Sequence, residues 1–149
     1  MDKVNVKVVN KSNYDLPQYS DLLSVGMDLR ANINEIVVLK PLERKLIPTG
    51  LYVDVPVGYS GDVRPRSGLA VKKGITVLNT PGTVDPGYHG EVCVVLINLS
   101  NEDFAVNPGD RIAQFVLTKV GHVEWQPVED VNQFDSENRG GGLGHSGVK

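Results

Sequence analysis

Short alternations of apolar and polar residues, cut every few positions by glycine, proline, asparagine or aspartate, run along most of this chain. They read as strands in KVNVKVV (3–9), MDLRAN (27–32), EIVVL (35–39), KLIPTGLYVDV (45–55), YSGDVRP (59–65) and ITVLN (75–79). GEVCVVLINLS (90–100), EDFAVN (102–107), RIAQFVLTKV (111–120) and VEWQPV (123–128) continue the series. Between them lie turn signals such as NKSN, KPLER, PVG, NLSNED and NPGD. Alternation with period two puts successive side chains on opposite faces of a sheet, and turn residues this closely spaced leave no length for crossover helices. About ten short strands in this rhythm predict an all-β sandwich, jelly roll or barrel, not a βαβ fold. No Rossmann or P-loop glycine pattern and no internal repeat interrupts the series.

A chain of 149 residues suits one domain able to bury a core. The net charge of −3 argues against non-specific nucleic-acid binding, so a polyanionic ligand would need a focused site. Cys93 is the only cysteine, which rules out an intrachain disulfide and points to a reducing compartment. The first residues alternate and carry no signal-peptide core, and the longest apolar runs are too short to cross a membrane as helices. These features predict a cytoplasmic protein with no membrane association.

RPRSGLAVKKG (64–74) breaks the strand pattern. Ser67 is suited to cap a helix of one or two turns over 68–73, and Gly74 to close it in the left-handed region. Such a helix start offers free N–H groups, and Arg64 and Arg66 add donors that match phosphate oxygens. In NTPGTVDPGYHGEV (79–92) two Pro-Gly pairs flank Thr83, Val84 and Asp85 and predict a tight hairpin. Unpaired backbone groups at its tip would suit the edge of a planar ligand. Asp28 in SVGMDLRAN alternates with Met27 and Leu29, and Gln114 interrupts an apolar run in NPGDRIAQFVL. Beyond Val128 the chain turns polar and glycine-rich, as expected of a mobile tail over 129–149 attached to a β domain over 1–128. Arg139, Leu143, His145 and Ser146 within its glycines are the mix expected of a phosphate-wrapping loop.

Five segments taken in order, LPQYSDLLSVGMDLRA, RPRSGLAVKKG, GTVDPGYHGE, PGDRIAQFVL and RGGGLGHSG, resemble the ordered motifs of the trimeric dUTP diphosphatases (dUTPases). The resemblance runs from about Leu16 to Gly147. It implies a jelly-roll-like β-sandwich, a homotrimer with sites between subunits, and hydrolysis of dUTP to dUMP and pyrophosphate. In this chain's numbering it implies that Arg66, Ser67 and Gly68 bind phosphates and that Gln114 reaches them from a neighbouring subunit. Asn79 and the backbone of Thr83, Val84 and Asp85 would hold the uracil, with Cys93 near the base and Tyr88 against the deoxyribose. Asp85 would be the general base, and Asp28 would act through water on a Mg²⁺ held by the three phosphates. The tail would close over the nucleotide.

Departures from the family pattern are Val25 in place of alanine, expected to be a packing change, His89 in place of arginine, and the tail. The tail is one residue shorter than the usual Arg-Gly-x-Gly-Gly-Phe-Gly pattern and has Leu143 where phenylalanine is usual. Arg139 takes the arginine role if the loop is shortened; counting back without a gap puts Asn138 there. Two other functions remain open on the residues: a dCTP deaminase, which shares the fold in outline, and a non-catalytic nucleotide-binding trimer.

Overall fold

The computed structural model describes residues 1–144 and 146–148, so the expectation placed on His145 lies outside the described residues. Among the described residues ten strands form two antiparallel four-stranded sheets and a small two-stranded one. The first sheet orders β1 (Lys7–Asn10), β4 (Arg44–Asp54), β8 (Glu91–Asn98) and β6 (Ile75–Val77). The second orders β2 (Gly26–Arg30), β10 (Arg111–Lys119), β5 (Tyr59–Arg64) and β7 (Gly82–Val84). β3 (Val37–Leu39) pairs with β9 (Phe104–Val106). The β-sandwich expected from the alternation is the architecture found.

The core lies between the sheets, where the inward residues of each strand meet. Val92, Val94 and Leu96 of β8 interleave with Ile47 of β4, Leu29 of β2, Val63 of β5 and Phe115 of β10. Every one of these is flanked in its strand by residues on the opposite face, as a half-buried sheet requires. Asn98 is fully buried at the end of β8, with its amide donating to the carbonyls of Leu39 and Glu102 while its oxygen accepts from Ser100. That one side chain ties the end of β3 to the loop between β8 and β9.

Three expectations about elements are corrected, two concerning strands and one the start of the helix. β7, at 82–84, is a strand and not a turn tip: it pairs with β5 through Gly61↔Val84, Asp62↔Thr83 and Val63↔Gly82. The segment 123–128 forms no strand, because it meets no sheet edge within the chain, and Trp125 is 84% exposed. A strand without a partner ladder has nowhere to place its backbone hydrogen bonds.

The one α-helix among the described residues, α1 (Ser67–Lys73), starts one residue earlier than expected. Arg66, in extended conformation, is its N-cap, and no side chain caps it. Ser67 therefore occupies the first helical position, where its hydroxyl no longer faces the free N–H groups. Gly74 closes the helix as expected, at φ 66°, with its N–H bonded to the Ala70 and Leu69 carbonyls. After β10 the described chain holds one turn of 3-10 helix (Val131–Gln133) capped by Asp130, and is otherwise irregular and exposed.

Candidate active site

Alternation along β2 buries Leu29 and turns Asp28 to the outer face of the second sheet. There Asp28 pairs across to Gln114 of β10, and Gln114 to Arg64 of β5, so one row of polar side chains crosses three strands. Two arginines meet at Asp28. Arg66 Nε donates to its Oδ1 at 3.1 Å, and Arg111 Nη1 lies 3.4 Å from its Oδ2. Arg66 Nη1 also donates to the Arg111 carbonyl at 2.9 Å, which closes the three residues into a ring. Gln114 lies over Gly26, where an added Cβ would run into its Oε1, and its amide donates to the Pro65 carbonyl at 3.0 Å. Asp28 and Arg111 also border a groove of about 600 Å³ walled by Tyr14, Asp15 and Tyr19.

Below this row, Asp62 is 8% exposed and accepts from Ser60, Arg64 and Thr118. Burial works against its charge, but the hydrogen bonds from Arg64, Ser60 and Thr118 outweigh it and hold the carboxyl below its ordinary range. Neither this network nor Arg111 was anticipated. Ser60, Asp62 and Arg64 alternate in YSGDVRP, and that spacing does put three polar groups on one strand face. Arg111 had no such signal.

A second cluster surrounds β7, the edge strand of its sheet. Asp85-Pro86-Gly87-Tyr88 is a turn closed by the Tyr88 N–H on the Asp85 carbonyl at 3.1 Å, with Gly87 at φ 86°. Pro followed by a positive-φ glycine is the requirement of a type II turn, so the sequence dictates this bend. Tyr88 donates its hydroxyl to the Glu91 carbonyl at 2.9 Å and folds over Gly90, where a Cβ would fall 2.6 Å from the hydroxyl oxygen. Asn79, Thr83, Tyr88 and Cys93 line a cavity of about 240 Å³. The Val84 side chain is in the core, so only its backbone is free to meet a ligand. The Cys93 thiol is pushed up from its ordinary pKa by burial, and next by the Glu91 carboxylate, so it stays protonated. Asp85 is exposed at the rim of the turn.

The two clusters do not meet within one chain. From Asp28 to the Asp85 level is three strand spacings across and about four residues along, or ~20 Å on standard sheet geometry. Arg139 and Leu143 are exposed and line neither cavity, while the Asn138 side chain accepts from the Gly140 N–H at 2.8 Å. Ser67 and Gly68 are exposed beside Arg66, and Val25, at 57% exposure, packs no core here. Among the described residues no helix is long and apolar enough to cross a membrane.

Comparison with known proteins bears on the fold and the family. A dUTPase family model matches residues 12–147. A deoxyuridine 5'-triphosphate nucleotidohydrolase of Fusobacterium nucleatum is 54% identical over 148 residues, covering 99% of each chain. One of Finegoldia magna is 49% identical, over 97% of this chain and 99% of its own. Among solved structures, the Staphylococcus bacteriophage 80alpha dUTPase with dUPNHPP superposes at a TM-score of 0.83 and 26% identity, covering 98% of this chain and all of that one. A mutant dUTPase from phage phi11 of S. aureus, described with a structural Mg(II) ion, gives a TM-score of 0.77 at 25% identity, over 89% of this chain and all of its own. With a family match over most of its length and a sandwich of the same shape, the chain belongs to the dUTPase family.

Proposed function

We propose that this protein hydrolyses dUTP to dUMP and pyrophosphate, limiting uracil incorporation into DNA and supplying dUMP for thymidylate synthesis. The observation that carries the reading is the division of polar groups into two clusters, one suited to phosphate and one to a small planar base. The nucleotidohydrolases it resembles and the dUPNHPP-bound relative support the same substrate.

The β7 cavity is the base site. Asn79 and the backbone of Thr83, Val84 and Asp85 supply the hydrogen bonds to uracil, Cys93 lies at the base, and Tyr88 packs on the deoxyribose and excludes a 2′-hydroxyl. A site built for uracil leaves its buried groups unpaired with cytosine, and a close wall rejects the methyl of thymine. Arg66, Ser67, Gly68 and Gln114 hold the phosphates. Gln114 does so from the same chain as Arg66 and not from a neighbouring subunit as expected, since its amide sits on the Pro65 carbonyl beside Arg66. Asp85 takes the proton of the water that attacks the α-phosphorus, while arginine and backbone donors stabilise the charge that develops. Because Asp28 and Asp85 stand so far apart in one chain, a complete site draws on more than one copy, and the homotrimer of the family supplies them.

Mg²⁺ fits only in a restricted way. Among the described residues no group of three His, Cys, Asp or Glu side chains could cage a metal. Asp28 is a single, partly exposed carboxylate beside the arginines, the kind of hard oxygen group that meets a hydrated ion already carried by phosphates. Bound that way, Mg²⁺ would supply positive charge to the triphosphate, and Asp28 would be the residue that orients its water.

The β domain over 1–128 is then the scaffold and 129–149 the arm that closes over bound nucleotide, with Arg139 on phosphate and Leu143 on the base. Pyrophosphate release from dUTP with Mg²⁺, measured against dTTP, dCTP and UTP, tests the reading. Release from dUTP alone is the expected result. Ammonia release from dCTP would replace it with a deaminase, and binding without turnover would replace it with a nucleotide-binding trimer.

A further inference from the structure

We infer that Arg111 is a positioning residue that keeps the Asp28 carboxylate in place when substrate draws Arg66 away. The inference rests on the dUTP-hydrolase reading of the site. In this structure Arg66 spends Nε on Asp28 and Nη1 on the Arg111 carbonyl. Those are the donors that the phosphates of a nucleotide would compete for. A carboxylate held only by Arg66 would lose its orientation at the moment it is needed. Arg111 approaches Asp28 from the other side, on Oδ2, and leaves Oδ1 to Arg66.

The backbone explains how Arg111 reaches that position. In an uninterrupted β10, Arg111 and Ala113 would share a face, and Ala113 is fully buried toward the core. The register shifts between Arg111 and Ala113: Arg111 pairs with Arg30 and Ala113 with Leu29. Ile112 and Ala113 consequently both turn inward, at 2% and 0% exposure, and Arg111 turns outward to the face that carries Asp28 and Gln114. Re-aiming a side chain is what a bulge does, and here it places a guanidinium diagonally across from Asp28. Arg30, its direct partner, is committed elsewhere, to the Gly109 carbonyl at 2.9 Å.

The test compares wild type, Arg111→Ala and Arg111→Lys. Any side chain at 111 keeps the backbone carbonyl that Arg66 uses, so Arg111→Ala removes the Asp28 contact alone. In Arg111→Ala, kcat should fall about tenfold or more, with a smaller change in KM for dUTP, and the Mg²⁺ concentration for half-maximal rate should rise. Calorimetric binding of α,β-imido-dUTP gives a readout independent of turnover: without Mg²⁺ the affinity should match wild type, and the gain on adding Mg²⁺ should be largely lost. Arg111→Lys, which keeps the charge, should recover part of both effects. A full Mg²⁺-dependent gain in Arg111→Ala overturns the inference while wild-type turnover leaves the enzyme reading intact. A wild type inert toward dUTP overturns both. Should Arg111→Ala fail to melt cooperatively, the same comparison is read from Arg111→Lys, where wild-type values in both measurements also overturn it.

Discussion

Asp85 and Tyr88 occupy the two ends of one four-residue turn, so the proposed base and the proposed sugar platform move as a unit. Asp85→Asn keeps the turn, since asparagine suits its first position equally well, but cannot take a proton from water. It should bind dUTP and turn it over at least ~10²-fold more slowly, as steady-state kinetics beside calorimetric binding will show. Near-normal turnover would remove Asp85 from the base role. Asp62 makes a different residue-scale prediction. Its folded pKa is depressed, so its ionised form contributes stability above the ordinary carboxylate value of 3.8, and that contribution is lost as pH falls through the lower folded value. Urea midpoints followed from pH 6 downward should therefore drop in wild type below about pH 4, and drop less in Asp62→Asn, which has no charge to lose. Asn98 is the residue on which the β8 exit depends. Asn98→Ala strands the Leu39 and Glu102 carbonyls and should cost about 1–3 kcal/mol in denaturant melts.

At the scale of elements, the outer face of the β2–β10–β5 sheet behaves as one device. Gly26 gives Gln114 its room, Gln114 fastens β10 to the Pro65 carbonyl, and Pro65 leads into the Arg66 cap of α1. Gly26→Ala would push Gln114 off that carbonyl without entering the core. Its expected signature is a rise in KM for dUTP with a melting temperature close to wild type; an unchanged KM would separate Gln114 from phosphate binding. The arm has its own element-scale test. If the shortened loop places Arg139 on phosphate, Arg139→Ala should slow turnover clearly and Asn138→Ala little, the Asn138 side chain being spent on its own Gly140 N–H. The reverse ranking would favour the alignment without a gap.

For the whole molecule, the separation of the two clusters means that the proposed chemistry calls for assembly. The exposed segment 120–128, with Trp125 in the open, and the arm beyond it are also surfaces that one chain leaves uncovered. Sedimentation should give an active species of roughly three times 16.2 kDa; an active monomer would contradict the shared site. Truncation after Ser136 should leave that assembly and its melting temperature intact while removing most of the activity, because the arm contributes nothing to the core of the sandwich. Full activity in the truncated protein would rule out closure of the arm over the site.

By itself the sequence determined the all-β class, most strand positions, the glycine stop of α1 and the 85–88 turn, and it offered the residue types on which the proposed chemistry rests. All of these follow from local rules: period-two alternation, the φ of proline and glycine, and the pairing of donor types with phosphate or base edges. What it left undecided depends on partners remote in the chain. VEWQPV alternates as well as any strand yet finds no edge, whereas Gly82–Val84 looks like a turn and becomes a strand because β5 is beside it. Ser67 has the chemistry of a cap, but the extended backbone at Arg66 takes that position. Arg111 reaches Asp28 only because β10 slips its register against β2, and Asp28 and Asp85 fall on distant parts of one sheet through its strand order. Register and strand order are set by which faces bury together, and only the folded sandwich decides that.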